Sequence, residues 1–424
     1  MSKWKKIWLD NVLGTAFIFA LMGGIVGLGN LPIFNAFDPI GQALSDMEMT
    51  DLVFSQLREE PEIDTNVVVI NIGNLPRSGI GHQLNIINQY HPAVVAFDFD
   101  FLDLHPEDPE GDSILASAIS NTKKLVMISK LLQTDSLFEA SPGIDLYDSM
   151  SFSAPYLSQG VTFAFANLET EAEYQDDFKA CRAFPPQRDV NGKLYNAFAL
   201  EIANQYNPKT AEKLISRGKD WETINYRGNV VDFFGRTNYP TSYYALDWDQ
   251  VLNEEFAPEM IKDKIVIFGF LGESFFDTSW DDKFFTPLNK NYAGKTNPDM
   301  YGAVIHANIV SMILKGDYVD TWNESIGFIV GFLVCFLNVV FFSWIYRHLP
   351  RWYDGLTKIM QIIELAILVA FMIYAFHLFN FKLNLTVAMA GIALAGDGLE
   401  VYYGVVKNLF RKESRRQLFT IQRD

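Results

Sequence analysis

The densest run of side chains able to do chemistry is Asp98-Phe99-Asp100-Phe101-Leu102-Asp103-Leu104-His105, which continues into Glu107, Asp108, Glu110 and Asp112. Alternating carboxylates at the end of a strand offer oxygen ligands to a hard cation. The spacing is not that of an EF-hand loop, whose glycine and closing glutamate positions are unmatched here. No metal is therefore expected, and a hydrogen-bonded, solvated loop is the favoured reading. His306 and Asn308 follow Gly302 at an expected helix start, where free backbone N–H groups can meet a ligand. A structural histidine beside the helix cap is the stronger of the two readings there. Arg77 and Arg227 are the cations expected to pair with Asp98 inside the domain. The candidate ligand-binding set is thus Arg77, Asp98, Asp100, Arg227, His306 and Asn308. The sequence holds no G-x-S-x-G, H-E-x-x-H or P-loop signature. Gly269-Phe270-Leu271-Gly272 lacks the third glycine and the basic residue of a phosphate loop. Neither an enzyme activity nor a cofactor is expected.

Alternating strands and helices must position these residues. Val67-Val68-Val69-Ile70-Asn71-Ile72 reads as a buried strand, and a helix follows through Leu84, Ile86, Ile87 and Tyr90. Strands are expected at 94–97, 125–128 and 265–269, and helices at 113–120, 197–205 and 306–314. Such alternation predicts an α/β domain with a largely parallel sheet and helices on both faces. Residues 135–190 are loop-rich, with turns at Ser141-Pro142-Gly143 and Pro185-Pro186, and read as an insertion or antiparallel extension.

Several pieces of this region resemble one family. They are the first strand followed by Pro76-Arg77, then Ala96-Phe97-Asp98-Phe99, then Asp112-Ser113-Ile114-Leu115-Ala116-Ser117-Ala118-Ile119. Ile224-Asn225-Tyr226-Arg227-Gly228 is similar to the family's central strand motif. Lys262-Asp263-Lys264-Ile265-Val266-Ile267-Phe268-Gly269, with Asp277 and Thr286-Pro287 after it, is similar to its late strand. Tyr301-Gly302-Ala303-Val304-Ile305-His306-Ala307-Asn308 is similar to its glycine–histidine–alanine–asparagine helix entry. In this order the pieces resemble the CHASE-type-two domain (cyclase- and histidine-kinase-associated extracellular sensing) over residues 63–403. The resemblance implies a sensor outside the cytoplasm, followed by three membrane helices. Asn71-Ile72-Gly73-Asn74 stands where the family often ends its first strand on an acidic residue.

Four apolar stretches have the roughly 20 residues that a bilayer crossing needs, at 13–31, 326–344, 359–379 and 383–403. Lys3, Lys5 and Lys6 flank the first, Arg347 and Arg351 the second, and Lys407, Arg411, Lys412, Arg415 and Arg416 the last. Placing these cations inside sets both termini in the cytoplasm and residues 38–325 outside it. The expected division is 1–37, 38–325, 326–403 and a basic tail at 404–424. The first span lacks an A-x-A-like cleavage site, so an uncleaved anchor is favoured over a signal peptide. Asn338, Glu364, Asp397 and Glu400 fall within the spans, where polar groups are costly and often functional. They are the candidates for intramembrane coupling.

Residues 38–325 hold 44 of the 51 carboxylates and 21 of the 34 Lys/Arg, a formal charge of −23. Such a domain repels phosphates, which argues against nucleic acid. Cys181 and Cys335 lie in segments expected on different sides of the membrane surface, so no disulfide is expected. The expected place is the bacterial inner membrane with a periplasmic main domain. The expected partners are other membrane or envelope proteins, a second copy of the chain, and the bilayer. The segment after the last span is too short for an effector domain, so any signal is expected to pass to a separate polypeptide. The alternative is a structural or accessory subunit of an envelope complex that senses nothing.

Overall fold

The structure is a computed structural model that describes residues 3–29, 49–59, 61–134, 147–168, 180–230, 241–290 and 297–407. The turn read at Ser141-Pro142-Gly143, the boundary at 38, and Arg411, Lys412, Arg415 and Arg416 lie outside the described residues. The chain divides into two compact units. One is Asp46–Val319, and the other joins Met1–Ser45 to Asp320–Asp424.

The first unit is built on one sheet of six parallel strands: β1 (Asp64–Asn71), β2 (Val94–Phe97), β3 (Leu125–Ser129), β4 (Thr162–Phe165), β5 (Tyr243–Leu246) and β6 (Ile265–Gly269). Their spatial order is β5-β1-β6-β2-β3-β4, and every pair runs parallel. The central strands are apolar without interruption because both faces are covered. Val67, Val68, Val69 and Ile70 are all fully buried. One face carries α2 (Arg77–Gln89) and α3 (Pro109–Ser120), whose Ile80, Leu84, Ile87, Leu115 and Ile119 join Val68, Ile70, Val95, Phe97 and Phe268 in one core. Helices α4 (Phe198–Tyr206), α5 (Pro208–Ile215) and α6 (Gly302–Lys315) follow, and α4 and α6 contact the sheet.

Helix α6 is buried from Gly302 through Ile313. A helix buried on every side, with polar His306, Asn308 and Ser311 buried too, has no apolar stripe to mark its limits. This is why its first turn, four residues ahead of His306, escapes a periodicity reading. Gly316 ends it at φ +64°, the left-handed conformation that glycine adopts most cheaply.

Three sequence expectations change. The 135–190 stretch is more than an extension, since its β4 extends the main sheet in parallel beside β3. Its antiparallel parts are short ladders, 187–190 with 193–196 and 131–132 with 149–150. Ile224–Gly228 is not a strand. It is irregular backbone, held by Asn308 and by the bond from Ile224 N to the Arg182 carbonyl. Strand β5, at the sheet edge, was not expected.

The second unit contains α1 (Lys3–Gly29), α7 (Glu324–His348), α8 (Tyr353–Phe379) and α9 (Thr386–Val401). Among the described residues three apolar helices are long enough to cross a membrane: Trp4–Ile25, Glu324–His348 and Pro350–Phe379. The fourth expected span corresponds to α9, which is shorter, with 16 residues before a π turn over Tyr402–Val406. Leu383 and Leu385, counted in the apolar run, precede the helix and are buried in a separate cluster with Ala388. Helices α7 and α9 approach closely through small residues. A Cβ on Gly331 would stand 2.7 Å from Val387 Cβ, and one on Gly391 would stand 2.8 Å from Cys335 Cβ.

Candidate functional site

In an all-parallel sheet the C-terminal strand ends and their following loops gather at one edge, where ligands of α/β domains are usually held. Strand β2 delivers Asp98 there, with its backbone N–H donating to the Phe268 carbonyl at 2.8 Å. Strand β6 ends beside it at Gly269, where a Cβ would lie only 2.4 Å from Ala303 Cβ. The missing side chain lets the first turn of α6 close onto the strand. That approach brings His306 Nε2 to 3.6 Å from Asp98 Oδ1, with side chains 5% and 9% exposed. Asp282 enters from the loop ahead of the short strand Lys283–Phe284, and its carbonyl accepts the Gly302 N–H at 3.2 Å. The Asp98 and Asp282 Oδ2 atoms both lie 3.7 Å from the point where a Gly302 Cβ would stand, and Phe284 Cε2 is 3.4 Å from it.

The environment sets the charges. Burial pushes the Asp98 carboxyl well above the usual range, and the Asp282 charge adds to this while Lys130 opposes it. Asp282 is raised to about 6 by desolvation of its carboxylate, again against Lys130. Burial lowers the His306 imidazole to about 3, with the Ala166 backbone opposing. His306 is therefore neutral near pH 7, and its contact with Asp98 is not an ion pair. Its ring meets Phe198 edge-on at 5.1 Å. Beside it is a cleft of about 210 Å³, counting space open to solvent, lined by Phe165, Asn167, Phe184, Ala197 and Ile309 among others.

The other candidates are held elsewhere. Arg77 does not reach Asp98. It pairs with Asp112 at 2.5 Å and donates to the Asp103 carbonyl. Helix α3 begins at Pro109, earlier than expected, and brings Asp112 within reach from its first turn. Nor does Arg227 pair with Asp98, since its guanidinium donates to the Glu62 carbonyl. Asn308 is fully buried, and its Oδ1 accepts from Arg227 N, Gly228 N and Tyr243 Oη. Its Nδ2 donates to the Gly228 and Val304 carbonyls, so the amide pins irregular backbone to α6. Asp100 is half-buried, and its Oδ2 is buried without a hydrogen-bond partner. Among the described residues no three His, Cys, Asp or Glu side chains converge on a metal position.

Sequence reading missed Asp282 and Lys130. Nothing in Asp281-Asp282-Lys283 marks one carboxylate as facing Asp98. Asn71 was noted only as a departure, yet it is a structural hub. Its Oδ1 accepts from Gly73 N and Leu271 N, and its Nδ2 donates to Asp247 and to the Gly272 carbonyl. Asn71 thereby ties the C-terminal ends of β1, β5 and β6 together. A carboxylate could accept these N–H groups but could not donate.

In the second unit, Asn338 is buried and faces Glu364 across α7 and α8. Asp397 instead pairs with Lys358 at 2.5 Å on an exposed surface, and Glu400 is exposed. The four coupling candidates thus do not form one cluster.

A model of the CHASE2 domain matches residues 26–340, well over half of the chain. The chain belongs to the CHASE2 domain family. CHASE2 domains are extracytoplasmic sensory domains, and the match runs from the end of α1 through the whole α/β unit into α7. No curated protein and no solved structure matches the chain. The buried ionisable group around Asp98 therefore belongs to the sensory part of a CHASE2 protein with apolar helices on both sides.

Proposed function

We propose that this CHASE2 protein is a membrane-anchored sensor that reads a signal outside the cytoplasm and relays it to a separate polypeptide. The observation that carries the reading is the Asp98–Asp282–His306 group at the start of α6. Among the described residues, Asp98 lies there largely enclosed beside a buried His306, next to the exposed Asp282 and with no hydrogen-bond donor at its carboxylate. Clusters of perturbed groups at a sheet's carboxyl edge are favoured functional sites. Helix α6 is also well placed along the chain to transmit a change, since eight residues separate its last residue from α7. The protein acts by binding and relay, without catalytic turnover.

The reading includes four crossings with both termini in the cytoplasm. Its support is the arrangement of the second unit. Asp10 near the start of α1 bonds Lys407 beyond α9 at 2.5 Å, and Arg347 near the end of α7 lies 4.0 Å from Asp10. The start of α1 and the ends of α7 and α9 therefore share one end of the helix bundle. Tyr353 Oη at the start of α8 donates to the Gly396 carbonyl near that end. Helix α9 thus extends alongside the longer helices despite its length.

The test is gentle extraction of the full chain, with quantitative identification of bound proteins, for the native protein and Asp98→Asn. A sensor predicts a partner whose bound amount changes several-fold with the substitution while the amount of this protein stays constant. Equal capture by both forms would favour the structural-subunit reading.

A further inference from the structure

Helix α6 runs the depth of the sheet. Its first residue, Gly302, faces Asp98 at the carboxyl ends of the strands. At its other end Lys315 Nζ lies 3.1 Å from Asp64 Oδ2, on the first residue of β1. Its 14 residues set these two edges about 20 Å apart. Val319, the last residue of the α/β unit, leaves from the amino edge, and Glu324 opens α7 five positions later. An extended chain covers at most about 3.6 Å per residue, so Val319 is within about 18 Å of the start of α7. The headgroup layer outside each hydrocarbon face of a bilayer is itself ~5–8 Å thick.

Residues 316–319 are held by the end of α5 and the turn after it. Arg217 and Lys219 both donate to the Val319 carbonyl, at 3.4 and 3.3 Å, and Arg217 lies over the Tyr318 ring at 4.5 Å. Both cations are anchored on the buried Glu222. Lys213 Nζ stands 5.9 Å from the centre of the same ring. The stretch also exposes apolar surface, with Ile215 at 41% and Trp221 at 37%. From 207 to 221 it carries Lys209, Lys213, Arg217 and Lys219 against Glu212 and Asp220, a formal charge of +2 in an acidic domain.

The carboxyl edge has the opposite character. The stretches 98–112 and 270–282 hold seven and four carboxylates and no Lys or Arg. Such an edge is repelled by phosphate. Lysines beside exposed tryptophan and aliphatic side chains are instead the composition of surfaces that rest in a headgroup layer.

We infer that the end of α5 and its following turn, residues 209–221, rest on the phospholipid headgroups around the start of α7. Lys209 and Lys213 meet the phosphates, and Ile215 and Trp221 enter the layer between them. The surface that touches lipid is thus the one that grips the exit of α6, while the acidic edge with Asp98 stands about 20 Å farther out. The inference rests on the reading that α7 crosses the bilayer.

The test uses the full chain in nanodiscs of phosphatidylcholine and phosphatidylglycerol doped with a nickel-chelating lipid. Nitroxides are placed by Leu102→Cys, Ile215→Cys, Trp221→Cys and Leu337→Cys, one per sample. Native Cys181 and Cys335 are buried, and the unsubstituted chain carried through labelling gives the background. Leu102 and Leu337 are 53% and 64% exposed and mark the acidic edge and the middle of α7. Lipid-borne nickel should raise the relaxation of the labels at 215 and 221 several-fold over the label at 102. The pair Lys209→Glu with Lys213→Glu takes the 207–221 charge from +2 to −2 and should remove most of that difference. Both lysines are exposed, so the core is left intact. Labels at 215 and 221 that respond no more than the label at 102, or a response untouched by the charge reversal, would overturn the inference. Dipolar broadening between copies labelled at 215, without a response to nickel, would also overturn it and give the face to a second copy of the chain. A label at 337 that oxygen reaches no better than the label at 102 would instead count against α7 as a crossing.

Discussion

Single residues in this protein divide by whether their partners are supplied. Asn308 makes five hydrogen bonds to nitrogen and oxygen groups on three segments and a sixth to Met300 Sδ, and truncation strands buried N–H and C=O groups. Asn308→Ala is expected to cost the domain about 2–3 kcal/mol, read as a lowered unfolding midpoint. Arg77 and Asp112 give an acid-sensitive contribution. Burial alone would raise the Asp112 carboxyl, but the Arg77 hydrogen bond and charge, with His105 N, pull it below its ordinary value. A depressed carboxylate stabilises the fold above its unfolded pKa and loses that contribution as pH falls through the folded value. Arg77→Met should therefore destabilise the protein near neutral pH by about 3 kcal/mol, and the deficit should shrink on strong acidification. A deficit equal at all pH values would mean that the guanidinium's contact with the Phe101 ring matters more than its pairing with Asp112.

At the scale of elements, the contact of β6 with α6 decides the site. Gly269→Ala puts a methyl group 2.4 Å from Ala303 Cβ and must push the helix entry outward. Overpacking of this kind costs about 1–3 kcal/mol. The same substitution should weaken the Asp98–His306 contact, and Ala303→Gly should restore most of the lost stability. If the double variant remains as unstable as Gly269→Ala, the close approach is not the cause. Helices α7 and α9 obey the same rule, since Gly331 and Gly391 allow their backbones together. Gly391→Leu is expected to separate them, read as loss of a crosslink between cysteines placed at 330 and 388.

For the whole molecule, the charges gathered at one end of the helix bundle predict orientation. Reporter fusions after Lys407 should behave as cytoplasmic, and fusions placed after Lys290 as extracytoplasmic. A cytoplasmic signal from the second would overturn the topology. The Asp10–Lys407 contact links the two ends of the second unit. Asp10→Lys should weaken it, and the pair Asp10→Lys with Lys407→Asp should recover part of the loss in a double-mutant cycle.

What the sequence alone determined follows from short-range rules. Apolar runs such as 67–70 must be buried on both faces, which made a parallel α/β sheet legible together with most of its central strands. Apolar length and basic flanks exposed the membrane character, and the order of short motifs exposed the family. Other features depended on distance. Only folding brings Asp282 to Asp98 across 184 positions of chain. Only α3, beginning at Pro109, gives Arg77 to Asp112 and so takes it away from Asp98. Helix α6, buried all round, and the edge strands β4 and β5 have no periodic signature, because burial comes from what other segments place against them. The residues able to do chemistry were visible in the sequence. Which carboxylate lacks a donor was decided by the tertiary structure, because that depends on which neighbours fill the space around it.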